Sequence, residues 1–190
     1  MPARFFIVAL VSLAAAHLAL MIVVLALRKP GYRHMVHTIS ELGEVSAPDQ
    51  RFVALGLFLP VGLMLLAAAV LLLKPLHAQP LAALAGAVAV GYLVAAIFPC
   101  DVGSPTSGTP RQALHNLGGA VQYIGGGFAL FAMAEAYGPW FKAAGAVVLI
   151  AAALLTLLPA KSARGLVQRI AEVALFAALL YGILLLQNSG

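Results

Sequence analysis

Residues able to move a proton or hold a metal fall in two short stretches of the 190-residue chain: His37, Ser40 and Glu41 in one, Asp101 and His115 in the other. Imidazole and carboxylate together suit zinc or another divalent metal. The expected ligands are His37, Asp101 and His115, with Glu41 as base or further ligand and Ser40 as an oriented hydroxyl. A metal there would lower the pKa of a bound water and let it attack an ester or amide at neutral pH. A second arrangement makes Ser40 the nucleophile and His37, three residues away, its base. Neither HExxH nor GxSxG occurs, so no local motif selects between these chemistries. A third explanation is that these groups sit at headgroup level simply because water is available there.

Around this set lie candidate binding groups: His34, Gln122, and the arginines Arg33, Arg51 and Arg111, whose guanidinium forks suit phosphate. His34, His37, Glu41 and Glu44 follow one another at steps of three, four and three. That spacing predicts a short interfacial helix ending near Gly43. His115, Gly119 and Gln122 fall on one helical face, which could form the inner wall of a polar cavity, while the neighbouring glycines let helices approach closely.

The elements that must position these residues are membrane helices. The chain is 63% hydrophobic and 9% charged, with a mean hydropathy of +1.04, a balance foreign to soluble domains. A hydrocarbon core takes about 20 apolar residues per crossing. Apolar runs at 5–27, 52–73, 81–98, 109–134, 140–158 and 166–186 therefore predict an all-α bundle of six transmembrane helices in one domain, 1–190. The first run is too long for a cleaved leader and reads as a span. Pro60 predicts a kink in the second, and Ser46 to Asp49 a cap that starts it near Ala47. Lys74, Pro75, His77, Gln79 and Pro80 read as a turn. Thr109, Pro110 and Gln112 read as N-cap, first-turn proline and reciprocal capping partner of the fourth helix.

With six spans, the first and third connections emerge on one face, so their polar residues could meet. His17 lies mid-span and is expected to face the bundle as a neutral imidazole with a hydrogen-bond partner. Arg169 and Glu172, three apart, read as an interfacial ion pair without chemistry. The single cysteine, Cys100, leaves no internal disulfide to form. The net charge of +5 comes from residues at helix ends, which points to anionic lipid headgroups as partners and away from nucleic acid. Arg28, Lys29, Arg33, Arg51, Arg111, Lys161, Arg164 and Arg169 flank the first, third and fifth connections, against Arg4, Lys74 and Lys142 opposite. The positive-inside rule then places those three connections in the cytoplasm, although arginines that bind a ligand would cease to be topology signals.

HTISELG at 37–43, FPCD at 98–101 and the helix led by His115 resemble the bacterial and archaeal membrane family catalogued as domain of unknown function nine-nine-eight. A weaker similarity, through the Ile-Ser-Glu turn and a histidine starting a later helix, runs to the DRAM and Frag group of membrane proteins. The resemblance implies a six-helix fold in which His37, Ser40, Glu41, Asp101 and His115 matter together. It also suggests lipid remodelling by analogy and a place in the prokaryotic inner membrane. The expected function is recognition or processing of a polar lipid headgroup or similar amphiphile at one bilayer face. A metal-dependent hydrolase, and a transporter or accessory subunit lined by His17 and Gln122, are the alternatives.

Overall fold

A helix that is apolar on nearly every side has no polar face to give to water, and six such helices account for most of this chain. The computed structural model describes residues 2–73, 78–159 and 162–186. The helices are α1 (Pro2–Arg28), α2 (Gln50–Leu73), α3 (Gln79–Ile97), α4 (Pro110–Tyr137), α5 (Trp140–Leu157) and α6 (Arg164–Leu185). Each is long and apolar enough to cross a bilayer. Successive helices pack on one another, α6 returns to α1, and α3 also meets α6 across the bundle. The outward faces carry exposed Leu20, Leu27, Leu55, Leu63, Phe128 and Val173, as a lipid-facing surface should.

Close approach is bought by small residues. A Cβ on Gly145 of α5 would lie 3.0 Å from the Gly127 carbonyl of α4, and one on Gly118 would lie 2.6 Å from Val94 of α3. Glycine at these positions lets the backbones pack closely.

Two helices contain a π-turn, Val53–Phe58 in α2 and Val121–Gly125 in α4. The first precedes Pro60, which has no N–H to give to the Gly56 carbonyl four residues back. His17 Nε2 of α1 donates to that carbonyl instead, at 2.7 Å. The mid-span histidine thus has the partner its burial demanded.

Several helix ends differ from expectation. α2 begins at Gln50, three residues later than expected, because Ser46 takes a positive φ of 67° and its N–H donates to Gln50 Oε1 at 3.1 Å. Gln79 and Pro80 belong to the first turn of α3 and not to the preceding turn. Thr109 caps α4 through the Gln112 N–H, as expected. Gln112 does not return the favour: Asp101 Oδ2 takes the Thr109 N–H at 2.9 Å, and Gln112 Oε1 accepts from the Asp101 N–H at 2.6 Å. In the first connection the only helical turn among the described residues is a 3₁₀ turn, Ser40–Gly43, so His34 and His37 do not share a helix with Glu41 and Glu44. Lys74, Pro75 and His77, and Lys161 of the fifth connection, lie outside the described residues.

Candidate functional site

The first and third connections meet at one end of the bundle. The Val45 N–H donates to the Cys100 carbonyl at 2.9 Å, and the Gly103 N–H to Glu44 Oε2 at 2.6 Å. Lys29 Nζ donates to the other Glu44 oxygen at 2.6 Å and to the Glu41 carbonyl. The start of α6 joins them: the Gly165 and Leu166 N–H groups donate to the Val36 and Met35 carbonyls at 3.1 and 3.0 Å. A side chain at residue 165 would strike the His34 and His37 carbonyls.

Within this frame the HTISELG segment folds on itself. Glu41 Oε1 accepts from the Thr38 N–H at 2.7 Å and from Thr38 Oγ1 at 3.1 Å. The tight turn turns Ser40 toward α4, where Ser40 Oγ lies 3.0 Å from His115 Nε2. His115 Nδ1 lies 2.8 Å from the Phe98 carbonyl. A carbonyl can only accept, so Nδ1 carries the proton, Nε2 is left with its lone pair, and Ser40 is the donor. His115 is 8% exposed. A hydroxyl donating to an imidazole whose other nitrogen is held by a main-chain carbonyl has the geometry that a nucleophile and its base require.

The FPCD segment supplies carbonyls more than side chains. Phe98 holds His115, Pro99 accepts from Arg111 Nε at 3.0 Å, and Cys100 accepts from Val45. Burial, then the neighbouring Glu44 carboxylate, pushes the Cys100 thiol up to about 12, which leaves it inert as a nucleophile at neutral pH. Asp101 binds the Thr109 N–H and hydroxyl and pairs with Arg111 at 2.6 Å. The Thr109 N–H and then the Arg111 guanidinium hold its carboxyl below the usual value.

Ser40 and His115 line a cavity of about 320 Å³ between α3, α4, α5 and α6. His115, Gly119 and Gln122 all face it, as their spacing suggested, and Asn116 and Tyr123 extend the wall. Its floor is Glu172, 5% exposed, eight residues into α6. Glu172 Oε1 accepts from Gln122 Nε2 at 2.7 Å and Tyr123 Oη at 2.6 Å, and Oε2 from Tyr92 Oη at 2.8 Å. The π-turn in α4 is what lets the consecutive Gln122 and Tyr123 reach one carboxylate. A hydrogen-bond chain climbs from there: Gln168 Nε2 donates to Tyr123 Oη at 3.0 Å, and the Ile39 N–H to Gln168 Oε1 at 2.6 Å, one residue from Ser40. The lining also includes Ile124 of α4 and Thr156 of α5, both exposed. Thr106 of the third connection is an exposed liner as well, so the cavity reaches the surface between α4, α5 and that connection.

The other expected site residues lie elsewhere. His37 stacks on Tyr32 with ring centroids 5.4 Å apart, and its Nδ1 accepts from the Arg33 N–H at 2.8 Å. Asp101 is taken up by the α4 cap, and Glu41 is buried in its own turn. Among the described residues no three of His, Cys, Asp or Glu are grouped to hold a metal ion, so the set His37, Asp101 and His115 is not assembled. Ser40 pairs with His115, not with His37. Arg33 and Arg51 are exposed away from the cavity, and Arg111 is engaged by Asp101 and Pro99. His34 Nδ1 lies 3.1 Å from Arg169, and burial followed by that guanidinium lowers its pKa.

The Arg169–Glu172 pair does not form. Arg169 turns to the His34 and His37 carbonyls and Tyr32 Oη, while Glu172 turns inward. Glu172, Tyr92 and Gln168 are the residues sequence reasoning missed. A carboxylate inside an apolar span is itself the signal, since such a group persists only with partners.

No curated protein and no solved structure matches the chain. Residues 12–184 match the family described as Protein of unknown function (DUF998), a stretch that takes in the first connection, the FPCD segment and every wall of the cavity, and the chain belongs to that family.

Proposed function

We propose that this polytopic membrane protein takes the polar head of a membrane amphiphile into the cavity and cleaves an ester there, with Ser40 as nucleophile and His115 as base. The observation that carries this reading is the Ser40 Oγ to His115 Nε2 contact of 3.0 Å with Nδ1 pinned by Phe98, on the wall of a cavity whose exposed rim includes Ile124 and Thr156 of two membrane-spanning helices. The Ser40 proton passes to His115 Nε2 as Oγ bonds to the ester carbonyl carbon. Collapse of the adduct breaks the carbon–oxygen bond to the leaving alcohol, which takes the proton from Nε2. Water, deprotonated by the same nitrogen, then releases the acid and restores Ser40. Exposed Ile124 and Thr156 on that rim support an amphiphile over a soluble ester, because apolar tails beside them can stay in the bilayer. The similarity of the Ile-Ser-Glu turn to the DRAM and Frag group points to the same substrate class, and the prokaryotic inner membrane is the proposed location.

A long-chain fluorophosphonate, which reacts with activated serines, tests this on purified protein in micelles. Wild-type protein is expected to be labelled at Ser40, Ser40→Ala not at all, and His115→Ala about 10²-fold to 10³-fold more slowly. An unreactive wild type, or labelling that survives Ser40→Ala, removes the reading.

A further inference from the structure

Arg164 lines the same cavity and is 6% exposed. Its Nη2 donates to the Ser104 carbonyl at 2.8 Å and its Nη1 to the Gly103 carbonyl at 3.3 Å. Its Nε is the buried side-chain polar atom without a partner among the described residues. None of the ion pairs among those residues includes Arg164. A guanidinium taken out of water with neutral carbonyls as its partners, and one N–H unused, is poorly compensated. Ser104, whose carbonyl Arg164 takes, holds a left-handed φ of 45° in a turn closed by its N–H to the Asp101 carbonyl.

The carboxylate that shares the cavity does not neutralise Arg164. Glu172 lies eight residues along α6, about 12 Å by the helical rise, and is occupied by Tyr92, Tyr123 and Gln122. The start of α6 offers no alternative anion site, since its Gly165 and Leu166 N–H groups are given to the first connection. The cavity is thus positive at the connection end and negative at its floor, with Ser40 and His115 on its wall.

We infer that Arg164 is an anion subsite, and that the ligand of this cavity carries a phosphate ester, which the guanidinium holds beside the Thr106 hydroxyl on the same wall. Phosphate is the anion that matches a planar fork of donors and that membrane amphiphiles carry beside their ester groups. The inference deepens the hydrolase reading by naming its substrate class, but its test is independent of turnover.

The test uses the full chain carrying Ser40→Ala, so that no ligand is consumed, with thermal unfolding in micelles as the readout. Dioleoyl phosphatidate is expected to raise Tm by several degrees and dioleoylglycerol, with the same tails and no phosphate, to leave it almost unchanged. Arg164→Gln should abolish the rise and Arg164→Lys should keep part of it. Arg33→Gln, which removes an exposed charge, should keep all of it. Sodium phosphate alone reproducing the rise would support the subsite and assign it to a soluble phosphate ester. An equal rise with dioleoylglycerol, or a full rise in Arg164→Gln, overturns the inference. Should Arg164→Gln fail to fold, the phosphatidate and dioleoylglycerol comparison and the Arg164→Lys loss decide. A phosphatidate response in protein whose wild type ignores the fluorophosphonate would retire the hydrolase reading and leave the subsite standing.

Discussion

His115 can take a proton from Ser40 only while its other nitrogen is held, and the residue that holds it contributes no side chain to the task. The Phe98 carbonyl sets the tautomer, so the FPCD segment matters through its backbone path, which Asp101 and Arg111 maintain. One turn beyond His115, Gly119 has nothing within 4 Å of where a Cβ would stand, although it lines the cavity. Gly119→Leu is therefore expected to plug the cavity without straining the bundle: Tm should hold or rise, and long-chain fluorophosphonate labelling of Ser40 should fall at least about 10-fold, the scale on which a misplaced reactant loses its effective concentration. Unchanged labelling with unchanged Tm would show that ligands reach Ser40 by another route. Residue types were readable from the sequence and pairings were not. Ser40 and His115 stand out as polar groups in an apolar chain, but helical spacing points Ser40 at His37. The pairing fails because Glu41 closes the turn through Thr38, and 75 residues of chain separate the true partners. The same spacing rule misdirects Glu172 toward Arg169, because it is blind to which residue faces the bundle.

The helices themselves were legible, since length and hydropathy suffice to mark a span, and their ends shifted by only a few residues. The two π-turns were not. Each adds a residue to one turn and so changes which side chains face inward, and nothing in local composition announces it. In α2 the adjacent proline gives a partial signal, and the compensation comes from a different helix. His17 donates to Gly56 where residue 60 cannot. His17→Ala should cost about 1 kcal/mol, in the range of interhelical hydrogen bonds in membranes. In a Pro60→Ala background, where residue 60 regains an N–H, the cost should fall toward zero. Unfolding of both single variants and the double variant in micelles gives the coupling, and additive effects would mean that His17 does not replace the proline's missing bond. At the other end of the π-turned α4, Gly127 and Gly145 draw α4 and α5 into contact. Nearer the connections, residues of the same two helices, Ile124 and Thr156, line the cavity.

The three connections at the site end interlock: the first with the third through Val45 and Glu44, and both with the start of α6 through Gly165, Arg164 and Arg169. Many cations counted for topology are spent here on Asp49, Glu44, Asp101 and main-chain carbonyls, which dilutes the charge signal. We propose that this end is cytoplasmic. Met35→Cys, at a residue 55% exposed, is expected to react with an impermeant maleimide only when the cytoplasmic side is open. Native Cys100, fully buried with its thiol raised to about 12, should stay silent and need not be removed. Labelling of Met35→Cys in intact cells would reverse the topology. The interlock also orders assembly in time. Ser40 precedes the second helix, yet its turn is anchored by Gln168 and backed by Gly165, which belong to the sixth. A chain that lacks α6 can insert five helices and still leave the Ser40 turn without its anchors, so on the proposed reading the Ser40–His115 pair is armed only once the sixth helix has joined the bundle.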